Sequence, residues 1–230
     1  YGGLGVNNSL YRYDNVESRS DVVAFLYQPE KWRRMPETCI HALALVKQRR
    51  PSTTIVLYGS NNLPNLPFDA DSLGLVHDLN ALNDLYNSAK VGLCLSLTNP
   101  SRIPIEYMAA GCVPVDLFRY NNFFDCANNT SLLAYQSPES IADAIIYLLE
   151  DNSGWQERSR ACTAFASSRS MDWEVDSVVN AAEALIEKGS FDSIECTTPI
   201  YTEQPFISKN DYSDSVLSFC SYQRRIAGIQ

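Results

Sequence analysis

The sequence is poor in the residues that metal centres and nucleic-acid interfaces require. It contains 2 histidines, and its cysteines and acidic residues show no spacing typical of a metal site. The 18 lysine and arginine residues are outnumbered by 27 aspartate and glutamate residues, which gives a formal net charge of -9. General binding to nucleic acid requires a basic face, so we predict no nucleic-acid partner. Because no ligand spacing typical of a metal site is present, we predict no metal site either.

Long apolar runs and paired cysteines are missing as well. No stretch reaches the roughly 18 to 20 apolar residues that cross a bilayer, and no signal-peptide pattern opens the chain. The 7 cysteines are widely spaced without a CxxC pair, and Cys39, Cys94 and Cys112 fall within apolar runs. Buried thiols in a reducing compartment fit this pattern better than a disulfide framework, so we expect a cytoplasmic protein. Since the chain begins with Tyr1 rather than Met, we also expect a fragment or a processed product.

Strand-like and helix-like segments alternate along most of the chain. Apolar runs of strand length predict strands at 22–27, 54–58, 73–76, 91–97, 112–117 and 131–135. Apolar periodicity predicts helices at 37–50, 80–89, 104–110, 153–168 and 172–188, the last capped by Asp172, and another that begins at Ser137-Pro138-Glu139. Strands alternating with helices of about a dozen residues indicate βαβ units. We therefore predict an α/β fold with a doubly wound, Rossmann-like parallel sheet and helices on both faces.

In a sheet of this kind, ligands bind outside the carboxyl ends of the strands. The loop after the first predicted strand contains Lys31, Arg33 and Arg34 just before a helix begins. Free amides and the helix dipole favour an anion there, and arginine offers a bidentate fork for phosphate. The alternative is a solvated cationic turn, although cations at a helix N-terminus oppose the dipole.

A second candidate follows the predicted strand 91–97, where the sequence reads NPSRIPIEYMAAGCVPV. Glu106 falls in the first turn of a helix, where the dipole stabilises a carboxylate without any ligand. Its place at the ligand edge favours another interpretation, in which the carboxylate accepts paired hydrogen bonds from a sugar or ribose diol. We interpret His41 as structural because apolar residues surround it, whereas His77 follows the predicted strand 73–76 and is a candidate for the ligand edge.

The order of these segments resembles the C-terminal, donor-binding domain of GT-B glycosyltransferases of the large retaining group. The resemblance covers about residues 1–188. It is carried by Gly5-Val6-Asn7, VVAFLYQPEKWRRMPETCIHALALVKQRRPSTTIVLYG, LNDLYNSAKVGLCLS, PIEYMAAGCVPV and Asp172-Trp173. The arginine loop and SRIPIEYMAAG look closest to rhamnosyltransferases of cell-surface glycan assembly.

This resemblance implies a set of site residues. Glu106 corresponds to the second glutamate of the E-x7-E motif, which holds the nucleotide ribose, and the first glutamate is replaced by Thr98, which carries no charge. The basic loop binds the donor diphosphate, and backbone amides of 101–103 also reach it, while the base lies near 75–79. The implied donor-binding residues are Arg33, Arg34, Thr98, Ser101, Arg102, Ile103, Glu106 and His77, and Arg34 and Glu106 are the implied catalytic residues.

The resemblance also implies a domain order and an activity. We expect an interdomain linker remnant at 1–20, a nucleotide-sugar-binding domain at 21–188, and a polar tail at 189–230 with a short helix around 213–226. The implied activity is sugar transfer of hexosyltransferase type, from a nucleotide-diphosphate sugar to an acceptor hydroxyl in polysaccharide or glycan synthesis, without cofactor or metal.

The family's N-terminal domain binds the acceptor, a glycan or a lipid-linked glycan. We therefore expect the isolated chain to be inactive in transfer, and the full-length protein to associate peripherally with a membrane. Two alternatives stay open. Thr98 is compatible with a GT-B-like epimerase or a non-catalytic nucleotide-binding domain. A receiver-like interaction module is the other alternative, but it requires acidic residues where this chain has QPEKWRR.

Overall fold

The computed structural model describes residues 3–14, 19–63, 65–188 and 198–229. Its six strands are β1 (Val22–Leu26), β2 (Thr54–Tyr58), β3 (Asp71–Ser72), β4 (Val91–Leu93), β5 (Val113–Leu117) and β6 (Leu132–Ala134). They form one sheet in the order β3-β2-β1-β4-β5-β6, and every pair of neighbours is parallel. The predicted doubly wound parallel sheet is confirmed, and its strand order reverses between β1 and β4.

Seven α-helices surround the sheet within the described residues. They are α1 (Pro36–Arg49), α2 (Leu79–Ser88), α3 (Ile103–Ala109), α4 (Pro138–Glu150), α5 (Asn152–Ser167), α6 (Met171–Lys188) and α7 (Asp214–Ile226). Helix α1 packs against α4, and α3 packs against α5. Because connections between parallel strands are right-handed, these two pairs cover opposite faces of the sheet.

The central strands are apolar because both of their faces are covered. Every residue of β4 and β5 is buried, as strands between two layers of helices require. Gly92 has a specific reason to be glycine. A Cβ atom there would lie 2.3 Å from Cδ2 of Tyr107, so the missing side chain lets the aromatic ring pack directly against the strand. The Tyr107 hydroxyl lies 2.6 Å from the hydroxyl of Tyr58.

Several helices begin at residues whose side chains cap them, but one predicted cap needs correction. The Ser137 hydroxyl accepts a hydrogen bond from the amide of Ser140 at 3.1 Å, and Pro138 opens α4 as predicted. The predicted cap of α6 was wrong. Asp172 lies inside the helix, and the Ser170 hydroxyl accepts from the amide of Trp173 at 3.1 Å.

Two strand predictions also need correction. The predicted strand 73–76 is irregular, and the strand that pairs with β2 is the exposed, polar Asp71–Ser72. Strand β4 ends at Leu93 rather than at residue 97, although the following residues are buried. The amide of Ser96 donates to the side chain of Asp116 at 3.0 Å, and the amide of Leu97 donates to the carbonyl of Arg33 at 3.1 Å. Because these two amides donate to the Asp116 side chain and the Arg33 carbonyl rather than to the backbone of a neighbouring strand, β4 does not extend to residue 97.

Residues 198–229 pack against the β6 edge of the sheet. The amide of Phe206 donates to the carbonyl of Leu133 at 2.8 Å, and Tyr201 stacks on Phe123 with ring centroids 6.0 Å apart. The helix expected around 213–226 is confirmed as α7. Part of the predicted tail, residues 189–197, lies outside the described residues.

The described cysteines, six of the seven, are free and buried, which confirms the predicted buried thiols Cys39, Cys94 and Cys112. None of the described helices is long and apolar enough to cross a membrane.

Candidate functional site

The candidate site lies where the strand order reverses, because the loops after β1 and β4 meet there. The carbonyl of Arg33 accepts a hydrogen bond from the amide of Leu97 at 3.1 Å. Nη1 of Arg34 donates to the carbonyl of Leu95 at 3.3 Å and to Sγ of Cys94 at 3.1 Å. The structure thus brings the arginine loop against the loop that leads to Glu106. A crevice at such a switch point is where open parallel sheets bind ligands.

The arginine loop holds its side chains at different depths. Trp32–Arg34 form a short 3-10 helix, and Met35 ends it in a left-handed conformation with φ 49° before α1 begins. Trp32 is 71% exposed, Arg33 is half-buried, and Arg34 is 8% exposed. Nε of Arg33 and Nε of Arg34 are buried without a hydrogen-bond partner among the described residues. The loop therefore concentrates positive charge that the described part of the protein does not fully pair.

Glu106 occupies the first turn of α3, which Pro104 opens, and it is 9% exposed. Burial raises the pKa of this carboxyl group to about 7, although the positive charge of Arg102 and a hydrogen bond from Tyr11 act in the opposite direction. A carboxylate of this kind is close to its ionisation midpoint at neutral pH, and such groups cluster at functional sites. Tyr11 was not predicted as a site residue, because it lies in a stretch without helical or strand periodicity.

Ser101 and Ile103 lie beside Glu106 at the start of α3. The Ser101 hydroxyl lies 3.9 Å from Sγ of Cys94, which in turn contacts Arg34. It also accepts a long hydrogen bond, 3.4 Å, from the amide of Ile103. Cys94 therefore connects the arginine loop with the start of α3, a role that its place in an apolar run did not suggest.

The side chain of Arg102 points away from this group toward the opening turn of the chain. Its Nη1 and Nη2 donate to the two carboxylate oxygens of Glu174 at 2.7 and 2.9 Å, and Nη1 also donates to the carbonyl of Gly5 at 2.6 Å. The amide of Gly5 donates to the same carboxylate at 2.7 Å. This bidentate ion pair holds α6 and the Gly5 turn against the start of α3.

A second buried carboxylate, Asp116, lies at the end of β5 and was also missed. It is 1% exposed, and burial raises its pKa to about 7, although amides of Leu117 and Ser96, the charge of Arg34 and the side chain of Asn122 favour its ionised form. Asp116 and Ser101 line a cavity of about 10 Å³, which has room for a single water molecule. The signal was present in the sequence as one acidic residue inside an apolar strand.

Thr98 and His77 lie at the same edge of the sheet, and both are exposed. The Thr98 hydroxyl donates to the Asn99 side chain at 3.0 Å, at the tip of the loop after β4. His77 directly precedes Asp78, which caps α2. Within the described ranges, three or more His, Cys, Asp or Glu side chains are nowhere grouped so that they could hold a metal ion.

Comparisons with known proteins identify the family and the fold of the chain. The family model described as "WsaF, C-terminal domain" matches residues 21–146, more than half of the chain. No curated protein sequence matches the chain. Among solved structures, the C-terminal domain of the glycosyl transferase group 1 family protein LpcC from Francisella tularensis is similar, with 15% identity and a TM-score of 0.60. The match covers 72% of this chain and 98% of that domain.

Two longer proteins are similar as well. HepE of Anabaena, in complex with UDP, matches with 18% identity and a TM-score of 0.61 over 80% of this chain and 56% of HepE. Sucrose-phosphate synthase from Thermosynechococcus elongatus matches with 17% identity and a TM-score of 0.62 over 81% of this chain and 52% of that protein. The chain thus spans about half the length of these two proteins. At such identities the likeness shows the fold, which is that of a GT-B glycosyltransferase C-terminal domain.

Proposed function

Since the chain belongs to the family of the WsaF C-terminal domain, we propose that it is the donor-binding half of a glycosyltransferase. It would act on a nucleotide-diphosphate sugar and move the sugar to an acceptor hydroxyl. One observation carries this proposal: at the strand-order reversal, the arginine loop lies against residues 94–97, the start of the loop that leads to Glu106. The complex of HepE with UDP, a protein of the same fold, supports a nucleotide ligand at such a domain.

The arginine loop is suited to the donor diphosphate. Arg33 is half-buried with an unpaired Nε, so its guanidinium can pair with a phosphate that enters the crevice. Arg34 has Nη1 engaged with the carbonyl of Leu95, and we assign it the role of fixing the loop while adding positive charge to the site. Backbone amides at 101–103 would approach the diphosphate from the other side of the crevice.

The remaining site residues would contact the ribose, the transferred sugar and the base of the donor. Glu106 would accept hydrogen bonds from the ribose hydroxyls, since a buried carboxylate has its two oxygens fixed in direction. The exposed hydroxyl of Thr98 would contact the transferred sugar. The segment 75–79, with His77, would border the base.

These contacts explain how the reaction would be accelerated. Breaking the bond between the sugar C1 and the diphosphate oxygen places negative charge on the leaving diphosphate. Arg33, Arg34 and the amides at 101–103 would stabilise that charge without a metal or cofactor. By analogy with oxyanion-hole mutants, loss of one such donor costs about 10²- to 10³-fold in rate.

Finer features of the enzyme belong to the same proposal. An N-terminal domain would bind a glycan or lipid-linked acceptor, so the chain alone would bind donor but transfer little sugar. A hexosyl donor, a retaining outcome and a role in polysaccharide synthesis are implied by the resemblance to the whole group, and a rhamnosyl donor by the arginine loop and SRIPIEYMAAG. The buried free cysteines support a cytoplasmic enzyme, with peripheral attachment of the full-length protein to a membrane.

A thermal-shift titration with UDP-, GDP- and dTDP-sugars tests the proposal. A ligand at 100 times its Kd adds about 2.7 kcal/mol to the free energy of unfolding if it binds only the folded state. Arg33→Ala should weaken diphosphate binding more than nucleoside binding, while Arg12→Ala, on an exposed side chain outside the site, serves as the control. If none of the nucleotides shifts the melting temperature, the donor site does not exist.

A second candidate function keeps the nucleotide site without transfer. The observation that favours it is Thr98, which places an uncharged, exposed side chain where the resembling enzymes have a carboxylate. A non-catalytic domain would bind nucleotide and leave the sugar intact, and a GT-B-like epimerase would invert one sugar carbon. NMR of the sugar after incubation with a bound donor separates these alternatives from transfer or hydrolysis.

A further inference from the structure

Asp116 is a buried acidic residue in an otherwise apolar strand. Every other residue of β5 is apolar, and Asp116 is 1% exposed. Removing a carboxylate from water is costly unless hydrogen bonds replace its hydration. An apolar side chain would suit the two covered faces of the sheet better, so the reason for an aspartate at this position lies outside β5.

The carboxylate of Asp116 accepts two backbone hydrogen bonds at Oδ1. The amide of Leu117, the next residue, donates to it at 2.7 Å and fixes the direction of the carboxylate. The amide of Ser96 donates to it at 3.0 Å from the loop that follows β4. Ser96 has no exposed surface, so its amide needs an acceptor within the protein. Asp116 therefore holds the loop after β4 against β5.

The loop that Asp116 holds also supports the arginine loop. The carbonyl of Leu95 accepts from Nη1 of Arg34 at 3.3 Å, and the amide of Leu97 donates to the carbonyl of Arg33 at 3.1 Å. The amide of the residue between them is the one that donates to Asp116. Three consecutive residues thus connect the arginine loop to β5.

Asp116 also borders the far end of the same loop. Oγ of Ser96 donates to the carbonyl of Asn99 at 2.6 Å, which closes the tip of the loop where Thr98 lies. Asp116 and Ser101 line the same cavity of about 10 Å³. The loop therefore meets Asp116 both where it leaves β4 and where it enters α3.

We propose that Asp116 is a positioning residue of the diphosphate site, holding the loop after β4 so that the arginine loop and the amides at 101–103 face the donor diphosphate. The inference rests on the proposed function and deepens it, because it assigns part of the diphosphate affinity to a residue that does not touch the ligand. A loop that is already in its bound conformation loses less conformational entropy on binding. The acceptor oxygen of Asp116 has this effect, whereas its negative charge opposes an anionic ligand.

Matched variants of the 230-residue chain separate the acceptor from the charge. Asp116→Asn keeps an acceptor oxygen for the two amides and removes the charge, whereas Asp116→Ala removes both. NMR titration measures the affinity for the tightest of UDP, GDP and dTDP, and for the corresponding nucleoside. For Asp116→Ala we expect about tenfold weaker binding of the diphosphate, as for loss of one hydrogen bond to a charged group, and no change for the nucleoside. Asp116→Asn should bind both ligands at least as tightly as the unmodified chain.

A control variant and a smaller perturbation complete the series. Ser159→Ala removes another buried hydrogen bond, from the Ser159 hydroxyl to the carbonyl of Gly111 at 2.7 Å, and should change neither affinity. Ser96→Ala keeps Asp116 and removes the hydroxyl that donates to the Asn99 carbonyl. It should weaken the diphosphate about threefold and leave the nucleoside unchanged, so it tests the same connection if Asp116→Ala does not fold.

Hydrogen exchange of the free chain measures the position of the loop without a ligand. In Asp116→Ala the amides of Ser96 and Leu97 should exchange about tenfold faster, because the loop is no longer held against β5. Amides of β1 and β2 should keep their rates. In Asp116→Asn all of these amides should stay protected.

The two hypotheses fail in different ways. If the diphosphate affinity is unchanged in Asp116→Ala, or in Ser96→Ala where the former does not fold, Asp116 has no positioning role and the donor site stands. If Asp116→Ala weakens the nucleoside as much as the diphosphate, or Asp116→Asn weakens the diphosphate as much as Asp116→Ala, the inference is overturned. If the unmodified chain binds no nucleotide, the proposed function falls and the positioning role of Asp116 falls with it.

Discussion

The amino edge and the carboxyl edge of the sheet both bury charged side chains, but they pair them differently. At the amino edge, Asp21 lies 2.6 Å from Nη2 of Arg50 and 2.8 Å from Nζ of Lys90. Burial raises the pKa of Asp21, but hydrogen bonds from Lys90 and Arg50 outweigh it and hold that pKa below its usual value. At the carboxyl edge, burial prevails and raises the pKa of Glu106 and of Asp116 to about 7.

This difference separates a structural edge from a functional one. A charged side chain that only supports the fold is stabilised when hydrogen bonds and ion pairs replace its lost hydration, as at Asp21. Groups that must exchange protons or hydrogen bonds with a ligand are left short of partners, and their pKa values move toward neutrality. Glu106 follows the second pattern, and burial also raises the pKa of Asp116, although two backbone amides donate to it.

The largest effect should come from Arg19 at the amino edge. Its guanidinium donates to the carbonyls of Tyr86, Ala89 and Ala110, which end α2 and α3. Arg19→Met leaves these carbonyls without that donor, so we expect a loss of about 3 to 4 kcal/mol in the free energy of unfolding. Urea denaturation measures it. A loss under 1 kcal/mol would show that water replaces the guanidinium and that this edge is not rigidly paired.

The next effect is a pH dependence that originates at the carboxyl edge. The pKa of Glu106 rises from 4.5 to about 7 on folding, so the folded chain holds a proton that the unfolded chain releases. Its contribution to stability is present below pH 4.5 and is lost as the pH rises through 7, by up to about 3 kcal/mol. Glu106→Gln should remove about half of the fall in the free energy of unfolding between pH 4.5 and 8, because Asp116, whose pKa is also raised to about 7, contributes the rest. An unchanged slope would mean that Glu106 is not desolvated as the structure indicates.

Asp21 should show the opposite sign and a smaller effect. Its pKa is lowered on folding, so its stabilising contribution is present above pH 3.8 and disappears as the pH falls through the folded value. Because the side chain is partly exposed, we expect Asp21→Asn to lose about 1 kcal/mol at neutral pH and to match the unmodified chain at strongly acidic pH. Equal stability of the two proteins at pH 7 would remove the contrast between the edges.

The sequence predicted those parts of the fold that have a clear local pattern of apolar and capping residues. Strands β1 and β2 are continuous apolar runs, and α4 has a serine cap, a proline and an apolar stripe. Strand β3 was placed wrongly because its two residues are polar and exposed, while the apolar segment beside it leaves the sheet after Leu73, whose amide donates to the carbonyl of Leu57. The cap of α6 was missed because two capping residue types, Ser170 and Asp172, stand two positions apart, and the pattern does not choose between them.

The candidate site was predictable to the level of its loops. Parallel strands bring their carboxyl ends to one edge, and that rule alone placed Arg33 and Arg34 near Glu106. It did not indicate that Arg34 would be buried against Leu95, because loop conformation depends on long-range packing. The effect of Tyr11 on the pKa of Glu106 was equally hidden, since Tyr11 lies in an aperiodic segment and Glu106 in a helix far along the chain.

The most direct test of this account is a paired measurement on Glu106→Gln at pH 8. Unfolding free energy and nucleoside-diphosphate affinity are determined on the same protein. If the buried charge of Glu106 destabilises the folded chain but contributes to ligand binding, Glu106→Gln should be at least as stable as the unmodified chain. It should also bind the nucleotide about tenfold more weakly. A variant that loses stability and keeps its full affinity would contradict the account, because Glu106 would then be a structural residue like Asp21.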